Sequence, residues 1–132
     1  MASLFTKIQT GKIPGFVIAE DDNFFAILDR YPTQPGHTLV IPKEEYATVF
    51  DLPKDLYTGL FEFARKLAPV LMKVTEANRI NVQVEGVHIK DHCHVHLIPV
   101  QTDGPLKAES KEASDEELEK WQKKILQALS QK

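Results

Sequence analysis

Apolar and polar positions along the chain change period from segment to segment, and each period predicts an element. Leu4, Phe5 and Ile8 recur at helical spacing behind Ser3, which stands in the N-cap position, and Gly11 with Pro14 and Gly15 closes that short helix. Phe16 to Glu20 and Phe24 to Leu28 are β-rich runs separated by Asp21, Asp22 and Asn23, a turn composition that predicts a hairpin. Asp29 closes the second run. Pro32 to Gly36 is a loop holding two prolines, after which Thr38 to Ile41 reads as a third strand stopped by Pro42. His37 therefore stands where a loop enters a strand.

The middle of the chain is helical. Leu56, Leu60, Phe63, Ala64, Leu67, Leu71 and Val74 form one apolar stripe at the 3.6-residue period. Pro53 suits the first turn, whereas Pro69 interrupts the pattern and predicts a kink or a break. Ile80, Val82 and Val84 alternate with Asn81, Gln83 and Glu85, the signature of a half-buried strand ended by Gly86. His94 to Val100 is the last strand. Gln101 to Ala113 is polar and reads as a mobile linker. Ser114 and Glu117 then form a capping box for a final helix whose stripe, Leu118, Trp121, Ile125 and Leu129, must pack on its own domain or on a partner. No repeat is visible, and the division is a domain over 1–105 with a linker and helix over 106–132 belonging to it or to a dimer contact.

Composition narrows the function classes. At 132 residues with 42% hydrophobic and 27% charged positions the chain has ordinary globular composition for one core. Nineteen acidic against sixteen basic residues leave a net charge of −3, so long nucleic acid is not the expected partner. The single cysteine, Cys93, excludes an internal disulfide and suits a reducing compartment. No apolar run approaches the ~18 residues of a membrane span, and residues 1–11 lack the apolar core of a secretory signal. The expectation is a soluble, cytoplasmic protein with no membrane partner.

Four of the five histidines fall between His88 and His96, and His92, His94 and His96 alternate strictly. On a strand their rings would share one face at spacings of roughly 7 Å. Three readings compete. The row could ligate zinc with His37 as a further ligand, although no Asp or second Cys stands at familiar zinc spacing. It could be a catalytic set, in which a neutral imidazole attacks phosphorus while its other nitrogen is held by an acceptor and a neighbour donates a proton. Or the rings could line a solvated strand face. Cys93 points to the opposite face and reads as a small core residue.

The run His92-Cys93-His94-Val95-His96-Leu97-Ile98 resembles the signature of the histidine triad family of nucleotide hydrolases and transferases. Ile13-Pro14, Glu20-Asp21-Asp22, Leu28-Asp29, Pro32 and the stretch Pro35 to Lys43 follow the order and spacing of that family's amino-terminal half, so the resemblance covers about Leu4 to Val100. It implies an α+β fold: a five-stranded antiparallel sheet with a long helix packed on it, a short N-terminal helix and a C-terminal helix, commonly as a homodimer with a ten-stranded sheet. It also implies a nucleotidyl-histidine mechanism with no cofactor and no metal. His94 would be the nucleophile and His96 would assist the leaving group. His92 would orient the set, its carbonyl holding His94 and its ring pairing with His37. Leu4, Phe5, Ile8 and Ile27 would form an apolar slot for the base, with a purine nucleotide or nucleotide conjugate as partner, and Asp29 would accept from ribose hydroxyls.

The chain departs from the family before the row. Val84 to Asp91 is short and lacks Asn, Gln and Ser, so Lys90 is the candidate to replace phosphate contacts. The resulting expectation is cleavage at the α-phosphate of a nucleoside phosphoramidate or a dinucleoside polyphosphate. The alternatives are a non-catalytic nucleotide-binding or scaffold protein and a metal-binding module.

Overall fold

The structure is a computed structural model that describes residues 2–84, 92–101 and 109–131. In chain order the elements are α1 (Leu4–Gln9), β1 (Val17–Glu20), β2 (Phe24–Leu28), β3 (Thr38–Pro42), α2 (Lys54–Thr75), β4 (Arg79–Val84), β5 (Val95–Val100) and α3 (Asp115–Ser130). The strands form one antiparallel sheet in the order β1-β2-β3-β5-β4, so β5 is inserted between β3 and β4. This is the expected α+β architecture.

Strand alternation divides the core between the two faces of the sheet. Phe24, Ala26, Leu28, Val40, Val95 and Leu97 face α2 and α3, where they meet Leu60, Ala64, Leu67, Leu71, Leu118 and Ile125. The intervening residues Phe25, Ile27, Leu39 and Ile41 form a second cluster with Phe5 of α1. The hairpin turn is closed by Asp21, whose Oδ1 accepts from the N–H groups of Asn23 and Phe24, both at 2.8 Å.

Four details differ from the sequence pattern. First, α2 runs unbroken through Pro69. That residue is exposed while Leu60, Ala64, Leu67 and Leu71 are buried on the sheet, and their burial outweighs the roughly 3 kcal/mol that an interior proline costs. Second, β5 starts at Val95, leaving His92 to His94 ahead of the strand. Third, Val82 and Val84 on the edge strand are 55% and 47% exposed, so the half-buried pattern of β4 holds only at Ile80, which packs on the core. Fourth, the segment expected as a mobile linker is anchored at its far end: the Ala113 N–H donates to the Arg30 carbonyl at 2.8 Å and Ala113 is buried. Residues 102–108 of that segment lie outside the described residues.

The final helix covers its own domain. Ser114 caps it by accepting from the Glu117 N–H at 3.1 Å, and Leu118 and Ile125 enter the core beside α2 and β1. Among the described residues no helix is long and apolar enough to cross a membrane.

Candidate active site

The loop Tyr31–Gly36 brings His37 to the start of β3. Gly36 has φ +83°, a left-handed conformation, and a Cβ there would meet Thr75 Cγ2 at 2.6 Å, so both the backbone and the space require glycine. His37 is buried. Its Nδ1 accepts from the Thr33 N–H at 3.1 Å, with Thr33 Oγ1 at 3.0 Å. A backbone N–H can only donate, so Nδ1 carries no proton and the neutral ring is protonated at Nε2. Burial holds the His37 pKa below the ordinary histidine value, against the pull of Asp29, so the neutral form is the relevant one.

From Nε2 that proton is directed to His96 Nδ1 at 2.9 Å, with Asp29 Oδ2 at 3.5 Å. His96 Nδ1 is therefore an acceptor, and the neutral ring of His96 carries its proton on Nε2. Asp29 is held by its own contacts: its N–H donates to the His37 carbonyl at 2.9 Å, and its Oδ1 accepts from the Tyr31 N–H at 2.9 Å.

His94 has the opposite arrangement. Its Nδ1–H donates to the carbonyl of His92 at 3.2 Å, leaving the lone pair on Nε2. Burial pushes its pKa down to about 4, and the nearby His96 and His92 add to that, while the His92 carbonyl and Asp29 oppose it. The ring is packed edge-on against Phe5, centroids 4.9 Å apart, and lies 4.9 Å from the ring of His96. At neutral pH one imidazole thus presents a lone pair and its neighbour an N–H.

His92 departs from the expected pairing. Its ring does not meet His37; Nε2–H donates to the Pro42 carbonyl at 2.6 Å and Nδ1 lies 2.5 Å from Ser3 Oγ. Only its carbonyl reaches the set. Because His92 precedes the strand, the simple alternation that would align three rings at equal spacing does not apply, and the fully buried ring turns toward α1 and β3. The partner of His37 is His96. Cys93 is a core residue as expected, 3% exposed, and burial raises its thiol pKa to about 11, so it is no thiolate.

A cavity of about 610 Å³ opens over these groups. His37, His94 and His96 line it, and so do Leu4, Phe5, Ile8, Ile27 and Asp29, bringing the proposed base slot and the histidines into one space. Lys90, like His88, lies outside the described residues. Sequence reasoning missed Thr33, Arg30, Ser110 and Leu118. Thr33 acts mainly through a backbone N–H, which carries no sequence signal. Leu118 was legible only as helix stripe, yet it also walls the cavity, and Arg30 ties that helix down through Asp115 at 2.6 Å and the Ala113 carbonyl at 3.1 Å.

For a metal, the histidine row itself does not converge, since both ring nitrogens of His92 and Nδ1 of His94 are engaged. Among the described residues the donor atoms that do lie together, all within 4.8 Å, belong to Asp29, His37 and His96. A cation there would displace the hydrogen bond between the two imidazoles.

A family model described as HIT domain matches residues 10–103. An uncharacterized HIT-like protein of Saccharolobus solfataricus is 30% identical over 134 residues, covering 96% of this chain and 96% of that protein. Adenosine 5'-monophosphoramidase of Saccharomyces cerevisiae is 37% identical over 99 residues, covering 74% of this chain and 62% of the yeast protein. The crystal structure of a hypothetical histidine triad nucleotide-binding protein from Sulfolobus tokodaii matches with a TM-score of 0.86 at 27% identity, over 96% of this chain and 91% of that one. With the sequence signature, the sheet order and the paired imidazoles all in agreement, this chain belongs to the histidine triad family.

Proposed function

We propose that the protein is a nucleotide hydrolase or transferase that cleaves at the α-phosphorus of a nucleoside phosphoramidate or dinucleoside polyphosphate. The observation that carries this reading is the complementary pair in the cavity, a lone pair on His94 Nε2 beside a proton on His96 Nε2. His94 Nε2 attacks the α-phosphorus, forming an N–P bond as the bond to the leaving group breaks, and the leaving group takes the proton of His96. Water then attacks the same phosphorus, His96 Nε2 recovers a proton from it, and the N–P bond breaks to release the nucleoside monophosphate. The nucleotidyl-imidazole is cationic, and the His92 carbonyl on its Nδ1–H stabilises that charge. Leu4, Phe5, Ile8 and Ile27 take a purine base, Asp29 the ribose hydroxyls, and Lys90 the phosphates. The reaction needs positioning and charge stabilisation, which these groups supply without a cofactor.

The exposed Val82 and Val84 on an edge strand favour a homodimer in which two such edges pair. The free buried thiol of Cys93 fits the reducing cytoplasm.

The test is turnover of adenosine phosphoramidate and diadenosine tetraphosphate, with and without a chelator, and mass spectrometry of the quenched enzyme. Adenosine monophosphate should be released, an adenylyl adduct should map to His94, and His94→Ala should cost at least about 1,000-fold in rate. Failure to turn over any such substrate, with nucleotide binding retained, would replace the enzyme by a non-catalytic binder.

A further inference from the structure

α1 carries the base slot on Leu4, Phe5 and Ile8, and its cap residue reaches the histidines from behind. The Ser3 hydroxyl lies 2.5 Å from His92 Nδ1, although the two residues are far apart in sequence. Proton accounting fixes the direction of this contact. His92 Nε2–H is committed to the Pro42 carbonyl, so in the neutral ring Nδ1 is an acceptor and the Ser3 O–H must be the donor. Ser3 Oγ in turn accepts from the Thr6 N–H at 3.1 Å, and the Thr6 hydroxyl donates to Glu45 Oε2 at 2.8 Å. Thr6 thus holds Glu45 with its hydroxyl and Ser3 with its backbone N–H, Ser3 donates to the ring of His92, and the carbonyl of His92 accepts from the Nδ1–H of His94.

Resting on the reaction proposed above, we infer that Ser3 is a positioning residue for the nucleophile: its hydroxyl holds His92 neutral and in place, so that the His92 carbonyl keeps His94 Nε2 aimed at phosphorus. The site needs this for two reasons. His92 is wholly buried, and a ring nitrogen left without a donor there would be desolvated without compensation or would draw a proton. A proton on His92 would place a positive charge next to the developing nucleotidyl-imidazolium. Among the described residues the titratable groups that interact with His92 are Glu45, whose carboxylate accepts from the Thr6 hydroxyl, and His94.

Ser3 also caps α1, so its removal alone does not separate a cap from a proton donor. Three substitutions do. Ser3→Thr keeps both functions. Ser3→Asp keeps the cap but offers His92 Nδ1 only an acceptor, which favours the doubly protonated ring. Ser3→Ala loses both. The measurements are kcat and KM for adenosine phosphoramidate and the protonation of His92 followed by nitrogen-15 NMR.

Ser3→Asp should lower kcat by about 10- to 100-fold with KM within about twofold, with His92 doubly protonated at pH 7, and Ser3→Thr should recover most of the rate lost in Ser3→Ala. A Ser3→Asp enzyme with wild-type kcat, or a loss confined to KM, overturns the role. If wild type forms no adduct on His94, the hydrolase reading fails instead, while the NMR still decides whether Ser3 governs the charge on His92.

Discussion

Single protons decide what each imidazole can do. The strict alternation of the histidines is legible in the sequence and points to a shared site, but the pairing of their rings is not. That pairing depends on which carbonyl, backbone N–H or hydroxyl each ring meets, and those come from Pro42, Thr33 and Ser3, residues that look like a strand stop, a loop position and a cap. A measurable consequence follows from the depressed pKa of His94, pushed down to about 4 against the usual ~6.5. Between these values the unfolded chain binds a proton that the fold excludes. The contribution of His94 to stability is therefore full above about pH 6.5, falls as the pH drops toward about 4 and is constant below that. His37 and His92 are shifted in the same direction by burial. Urea unfolding at pH 7.5 and pH 4.5 should differ on the order of 3 kcal/mol from His94 alone, and His94→Ala should shrink the difference. Equal midpoints at the two pH values for wild type would show that these rings are not held neutral.

At the level of elements, periodicity finds the helices and strands, while their ends and continuity depend on packing. Pro69 reads locally as a kink or a break, but its neighbours along the stripe are buried against the sheet and carry the helix through without a break. Val82 and Val84 alternate as a half-buried strand should, and only the position of β4 at the sheet edge explains why they are exposed. The loop ahead of β3 shows the tightest coupling between an element and the chemistry. Gly36→Ala would add a left-handed alanine and a Cβ pressed on Thr75, at the residue before His37. Thermal or urea unfolding should report a loss of about 1–3 kcal/mol. Turnover should fall as well, because the hydrogen bond from His37 to His96 starts there. A variant as stable and active as wild type would mean that the loop yields without moving His37.

For the molecule as a whole, the five-stranded sheet ends in an edge whose valines face solvent. If two such edges pair, Val82→Lys should convert a dimer to a monomer in light scattering after gel filtration, whereas a monomeric wild type would refute that assembly. The resemblance in the sequence conveyed the architecture because its motifs sit at strand ends and turns, which fix strand order. It did not convey how Leu118 of the last helix comes to wall the cavity, since an apolar stripe does not say which surface it will cover. That closure bears on when the protein becomes competent. Leu4 and Leu118 line the same cavity, and Arg30 fastens the segment between the sheet and the last helix. A chain emerging from the ribosome has its histidines well before it has this wall, so the cavity is complete only once the final helix has docked, and under the proposed function activity would report that docking rather than the formation of the sheet.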